Sequence, residues 1–260
     1  MNASAAMNAT TAVNASVSMN TEFRDSPPDV DAYDGPLKRR CLDLVARLAA
    51  HELTVDQYQA EVRTVFADAT LGAELAPSVA RAIAERKDQV FYRKQEGSRR
   101  VTLQLLYLAP REVHPPHCHH NLISNQMNVS GRCDVREFDR VARLSPDTLL
   151  VRLVQDRSLG VGDLMQTTEV HRNAHWFAAD GEPCVVLNFY LLGYQSWTFD
   201  PIEPTRRKGR QLLDPTAGVQ DDGLLIAKEV DFATGYAKFG QRRLADFPLP
   251  AIGLQSGAPS

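Results

Sequence analysis

Four of the chain's seven histidines fall within His114-Pro115-Pro116-His117-Cys118-His119-His120. Two more, His171 and His175, lie about fifty residues further on, just before an apolar run that starts at Cys184. Imidazole is the commonest side-chain metal ligand, and His-x-His on a strand turns both rings to the same side. The pattern therefore points to a metal site built on β-structure. His117 and His119 supply two ligands, while Cys118 between them points away, into core or to surface. The third ligand comes from elsewhere in the fold. His175, which enters a strand-like segment, is the first candidate. His171, four residues earlier and able to share a helical face with it, is the rival. His114 and His120 flank the ligand pair as candidates to orient a ligand or exchange protons.

Metal-bound imidazoles need partners for their second nitrogen, and Ser124, Gln126 and Asn128 are polar candidates on the segment that follows. Gln126 shares strand parity with Ser124 and is expected to hydrogen-bond near the metal rather than ligate it. In the run after Cys184, Asn188 and Tyr190 alternate with Leu187, Phe189 and Leu191, which sends the polar pair toward a cavity and the apolar set toward core. Tyr190 then either hydrogen-bonds oxygen or substrate or packs with its hydroxyl satisfied, and Tyr107 has the same two readings. Arg99, Arg100, Arg132 and Arg136 are candidates for a substrate carboxylate, though such residues are more often solvent-facing charges.

Around these residues the sequence changes period. Residues 35–52 read as a helix, with Pro36 in its first turn and Leu37, Cys41, Leu44, Val45 and Leu48 at helical steps. Thr54 and Gln57 form a capping box for a second helix through about Ala67. A third helix is expected over residues 75–87, with Pro77 near its beginning. These helices pack on the strand-rich centre or make a homodimer contact. After Asp88 the period becomes two. Short strands are expected at residues 91–93, 101–108, 133–138, 149–153, 163–167 and 184–192, separated by Gly, Pro and Asp-Gly turns. The histidine strand lies among them, with Pro115 and Pro116 placing it at a strand start or an edge. Many short strands with histidines at their ends suit a closed sheet or jelly roll surrounding one site.

The histidine segment resembles the cupin superfamily. The first cupin motif is His-x-His, four residues, glutamate, six residues, glycine. Here it reads His117-Cys118-His119, four residues, Ser124, six residues, Gly131. The spacing matches and serine replaces the carboxylate. The segment from His175 through Leu187 is similar to the last-ligand region of thiol dioxygenases of the cysteamine and plant cysteine oxidase group. The proline and glycine usual ahead of that last histidine are absent. The similarity covers roughly residues 88–195. It implies a mainly β, cupin-type jelly-roll barrel in which His117, His119 and His175 hold Fe(II), with Zn, Ni, Co or Cu as alternatives. With no acidic ligand the metal fragment stays at +2, which favours an anionic substrate ligand such as a thiolate. The implied activity is a dioxygenase acting on a small molecule with molecular oxygen. Cleavage of a dicarbonyl or phenolic compound, a zinc or nickel isomerase or hydrolase, and a non-catalytic metal- or ligand-binding cupin are the other readings.

Four regions follow: a disordered segment over 1–30, a helical segment over 31–88, a metal-binding barrel over 89–200, and a C-terminal extension over 201–260 that packs on the barrel. The start repeats Met-Asn with small polar residues, too poor in apolar surface to repay ordering and unlike a secretory signal. The extension holds the basic run Arg206-Arg-Lys-Gly-Arg210, expected as a surface patch. A net charge of -3 and a pI of about 6.2 argue against nucleic acid and anionic membranes as partners. No apolar run is long enough to span a bilayer, and no glycine-rich phosphate loop precedes a helix. Four cysteines without zinc-knuckle spacing fit a reduced, cytoplasmic setting.

Overall fold

A computed structural model of the chain describes residues 28–97, 99–169, 171–194, 210–220, 222–240 and 242–249. Of the disordered start expected over residues 1–30, residues 1–27 lie outside the described residues, while Val30 already pairs in a strand; the segment 195–209 with most of the basic run and the end from residue 250 also lie outside them.

The helical front part forms α1 (Pro36–Ala49), α2 (Val55–Phe66) and α3 (Leu71–Glu85). Pro36 opens α1, where the missing N–H costs nothing because first-turn donors have no partner inside the helix. The capping box at α2 is formed as the sequence requires. The Gln57 N–H donates to the Thr54 hydroxyl at 3.2 Å, and the Thr54 N–H donates to the Gln57 side chain at 2.9 Å. The third helix begins four residues earlier than its pattern suggested, because an Asp68–Thr70 turn starts it. Pro77 therefore sits inside the helix rather than near its beginning.

The strands are β1 (Val30–Asp31), β2 (Gln89–Glu96), β3 (Arg99–Leu108), β4 (Val113–His119), β5 (Leu122–Ser130), β6 (Cys133–Ser145), β7 (Thr148–Leu159), β8 (Leu164–Thr167), β9 (Ala174–Ala179), β10 (Cys184–Leu192), β11 (Arg210–Val219) and β12 (Leu225–Val230). A fourth helix, α4 (Phe232–Phe239), follows. The strands form two six-stranded antiparallel sheets. The first has the order β1-β2-β3-β10-β5-β8. The second, β11-β12-β7-β6-β9-β4, closes on itself because β4 pairs with both β9 and β11. The mainly β architecture expected from the sequence is present as two packed antiparallel sheets preceded by helices, and the second sheet rolls into a ring around a core of its own. That core takes Cys118, Phe138, Leu149, Val151, Ala174, Leu213 and Ala227, so that every strand of the ring contributes.

Strand parity decides which residues meet. Val101, Leu103 and Leu105 of β3, Ile123 and Met127 of β5, and Leu187, Phe189 and Leu191 of β10 turn outward and bury against the three helices, joining Leu44, Tyr58, Val62 and Leu75 in one core. Tyr107 packs against this core, which takes it away from the histidines. The opposite parity of the first sheet faces the second sheet, and the space between the two holds the histidines. Pro115 and Pro116 sit at a register shift between β4 and β9, where their lack of an N–H interrupts no ladder bond.

Gly131, the last residue of the motif spacing, has φ +75° at the β5–β6 turn. A Cβ there would run into the Pro183 carbonyl oxygen, so the position admits only glycine. The extension supplies full sheet strands. β11 pairs with β4 in the register Arg210↔His119, Gln211↔Cys118, Leu212↔His117. The long-range consequence is that Arg210, placed by sequence on a surface patch, turns inward beside the histidines.

Candidate metal centre

His117 and His119 lie two apart on β4, and His175 stands opposite His117 on β9. All three side chains point between the sheets and are buried. Their candidate ligand atoms lie within 4.8 Å of one another. The ring centroids are 4.9 Å apart for His117–His119, 4.4 Å for His117–His175 and 5.2 Å for His119–His175. The rival third ligand, His171, is excluded by position. Its side chain is 77% exposed and stands 3.7 Å from Asp139.

Burial holds all three imidazoles neutral, which is the form that ligates. It pushes His117 and His119 well below the usual histidine range and His175 down to about 3; the positive charge of Arg210 adds to the fall in each. His117 Nδ1 lies 2.7 Å from the Pro115 carbonyl oxygen. That contact assigns the proton to Nδ1 and leaves the Nε2 lone pair for a metal. Neither ring nitrogen of His175 makes a hydrogen bond. A buried imidazole with both nitrogens idle is costly unless something else occupies one of them. The donor set fits a divalent ion such as Fe, Zn, Ni, Co or Cu.

The cavity beside these rings has a volume of about 40 Å³ and is lined by Leu106, His114, Leu122, Ser124, Gln126, Phe177, Asn188, Tyr190 and Arg210 together with the triad. The expected inward set of Gln126, Asn188 and Tyr190 is therefore brought to the histidines. Asn188 pairs in register with Gln126, and Tyr190 with Ser124. Gln126 donates from Nε2 to the Ser124 hydroxyl at 3.2 Å, and that hydroxyl donates to Asn188 Oδ1 at 3.3 Å. The position that would carry an acidic ligand thus belongs to an uncharged hydrogen-bond chain.

Other expected neighbours go elsewhere. Asn128 donates to the carbonyls of Gly131 and Leu159 and accepts from the Cys184 thiol, bracing the turn rather than a histidine. His120 turns away to Gln211 at 2.8 Å and Arg140 at 3.4 Å, whereas His114 lines the cavity and packs against Phe177 with ring centroids 4.3 Å apart and planes tilted by 40°. Arg136 bonds Asp156 and the Phe247 carbonyl, and none of Arg99, Arg100, Arg132 or Arg136 lines the cavity.

Sequence reasoning missed three residues. Phe177 has the same parity as His175 two residues on, a signal that was available. Arg210 carried none, because only the β11–β4 pairing puts it there. Glu137 of β6 is the register partner of His175, fully buried, with no hydrogen bond to either carboxylate oxygen. Burial pushes its pKa up to about 7, against the pull of Arg172 and Arg157.

No family model matches the chain, and no curated protein matches it. Solved structures overlap it in part. An 11S globulin from Wrightia tinctoria is 14% identical over 35% of this chain and 20% of its own, with a TM-score of 0.27. A cupin superfamily protein from Desulfitobacterium hafniense DCB-2 is 15% identical over 40% of this chain and 75% of its own, with a TM-score of 0.29. A recombinant oxalate oxidase in complex with glycolate is 17% identical over 36% of this chain and 43% of its own, with a TM-score of 0.28. The chain spans about a fifth of the globulin it matches. These overlaps are too partial to say anything about activity. What the chain itself presents is two six-stranded antiparallel sheets with a buried His117/His119/His175 triad between them, able to hold a divalent metal ion.

Proposed function

We propose that the chain is a mononuclear non-heme iron dioxygenase that oxidises a small molecule, with a thiol as the leading substrate. The observation behind this reading is the ligand set. Three buried neutral imidazoles converge, Ser124 stands where an acidic ligand would, and among the described residues no Asp or Glu lines the cavity. Such a set leaves a divalent ion at +2, which attracts a thiolate. The overall change, RS⁻ + O₂ → RSO₂⁻, balances in atoms and electrons without an external reductant. Iron, when bound, supplies a redox-active Lewis acid with positions left for substrate and oxygen.

The chain's own residues prepare that site. Pro115 fixes the tautomer and orientation of His117. The chain from Gln126 through Ser124 to Asn188 holds one wall neutral and fixed. Leu106, Leu122 and Phe177 keep part of the wall around the rings apolar. Tyr190, on the same wall, offers a hydroxyl to oxygen or to substrate.

Anaerobic purification with metal analysis tests the reading. One iron per chain, with oxygen uptake matched to sulfinate formed from a small thiol, is the expected result. Stoichiometric tight zinc with no oxygen uptake on thiols would sink it. The same analysis separates the remaining readings: oxygen uptake on a dicarbonyl or phenol alone moves the substrate class, and zinc or nickel with a hydrolytic or isomerising activity moves the reaction.

A further inference from the structure

We propose that His114 is a second polar anchor of this cavity, and that the site takes a small thiol bearing a hydroxyl, with the sulfur at the triad and the hydroxyl donating to the His114 ring. This rests on the metal and thiol reading above and names the group at the substrate's other end.

Strict alternation along β4 would send His114 and His117, three residues apart, to opposite faces. A bulge prevents this. His114 is the register partner of Phe177 and His117 is that of His175, so three steps along β4 span two along β9. One extra residue in a strand re-aims the side chains beside it, and here Pro115 and Pro116 fill the irregular stretch. His114, His117, His175 and Phe177 consequently line one cavity.

His114 is held there with nothing to bond. Its side chain is only 10% exposed, and the Glu112 carboxylate stands 4.0 Å from Nε2, beyond hydrogen-bond reach. Neither ring nitrogen is hydrogen-bonded among the described residues. A phenylalanine or leucine would pack against Phe177 as well as this ring does, without burying an idle polar group. The polar atoms therefore call for a partner that enters the cavity.

The ring also says what kind of partner. Burial holds it neutral, with one N–H and one lone pair. Glu112 lies on the Nε2 side, its other oxygen fixed by the Ala109 N–H at 2.7 Å, and it draws the proton to Nε2. Nδ1 keeps the lone pair and accepts. A hydroxyl is the matching donor, because a neutral group costs less to bury than an ammonium.

Spacing and volume set the size. The Phe177 ring stands between the two anchors, with its centroid 4.3 Å from that of His114, 5.9 Å from that of His175 and 6.2 Å from that of His117. A buried water takes about 10–15 Å³ of such space, so the 40 Å³ here admits a molecule of a few heavy atoms. A sulfur, a short carbon spacer and a hydroxyl make up a molecule of that size.

The test uses the full chain loaded with Co(II), whose spectrum gains a charge-transfer band when a thiolate binds the ion. Mercaptoethanol is the probe, and propanethiol is its match in length without the hydroxyl. Both should give the band in the wild-type chain. His114→Phe should keep one cobalt per chain, while the ratio of mercaptoethanol to propanethiol affinity falls roughly three- to tenfold, the size of one lost hydrogen bond. His114→Leu, equally free of nitrogen, should give the same fall and repeats the test should the phenylalanine variant fold poorly. An unchanged ratio in either folded variant overturns the assignment and leaves the metal reading standing. Loss of cobalt in both would make His114 a ligand and overturns the assignment too. A wild-type chain that takes up cobalt but shows no band with either thiol removes the thiol reading, and this assignment with it.

Discussion

His117 and His175 face each other as register partners across the β4–β9 ladder, their ring centroids 4.4 Å apart and their planes at 81°. Cross-strand partners have the closest side-chain approach in an antiparallel pair, so this relationship fixes two ligands through the backbone before either rotamer matters. His119 adds the third by the two-residue repeat of one strand. A centre assembled this way is as rigid as the sheet that carries it.

Removal of any of the three should therefore empty the site. His117→Ala, His119→Ala and His175→Ala are each expected to lose most bound metal, because two imidazoles retain a divalent ion poorly. His171→Ala, on an exposed side chain, should keep full metal content. Metal analysis of the four purified variants reads the outcome, and wild-type metal content in His175→Ala would remove it from the centre.

Ser124 links Gln126 to Asn188 within the cavity wall. Ser124→Ala leaves both amides short of a buried partner, at a cost of about 1–3 kcal/mol. The expected result is a lower melting temperature with metal stoichiometry unchanged. Loss of metal in Ser124→Ala would instead make the hydroxyl a ligand.

Two buried groups give the metal-free chain opposing pH dependences. His175 titrates near 3 when folded and near 6.5 when unfolded, so the unfolded chain binds more protons between those values. Its contribution is complete above about pH 6.5 and is lost as pH falls toward 3. Glu137 runs the other way. Its folded value of about 7 exceeds the ordinary 4.5, so the folded chain holds the extra proton. Stability is lost as pH rises from 4.5 through 7. Glu137→Gln should remove that loss, stabilising the chain at pH 8 by up to about 3 kcal/mol and by little at pH 4.5. Denaturant unfolding of both proteins at the two pH values measures the difference. An equal penalty at both would mean that Glu137 is paired in solution.

Gly131 combines a left-handed backbone with direct contact to the Pro183 carbonyl. Gly131→Ala must both strain the turn and displace the start of β10, which carries Asn188 and Tyr190 farther along. A loss of about 2 kcal/mol or more is expected, read as a shift in the denaturation midpoint. A midpoint within error of wild type would show that the turn relaxes freely.

Much of this site was legible in the sequence because it depends on parity. Two-residue spacing put His117 and His119 on one side and Cys118 on the other, and the same alternation separated Asn188 and Tyr190 from Leu187, Phe189 and Leu191. The helices were legible through their periodicity and, for α2, through a cap made by residues three apart. Contacts within one element need only local geometry, and local geometry is written in spacing.

Pairing between distant strands is not written there. Nothing near Arg210 distinguishes it from the basic residues before it, and only its place opposite His119 on β11 turns it into the cavity. Likewise Glu137 reads as an ordinary charged residue of an alternating strand until β6 lies beside β9 and buries it opposite His175. The sequence preferred His175 over His171 because it enters a strand-like segment, and the tertiary structure made that choice final, since β9 begins between them and leaves one inside and the other in solvent. Sequence alone determined which residue types were present and which faces they shared within each strand. Which faces met was decided by burial of the outer face of the first sheet against the helices and by closure of the second sheet into a ring, both of which join residues far apart in the chain.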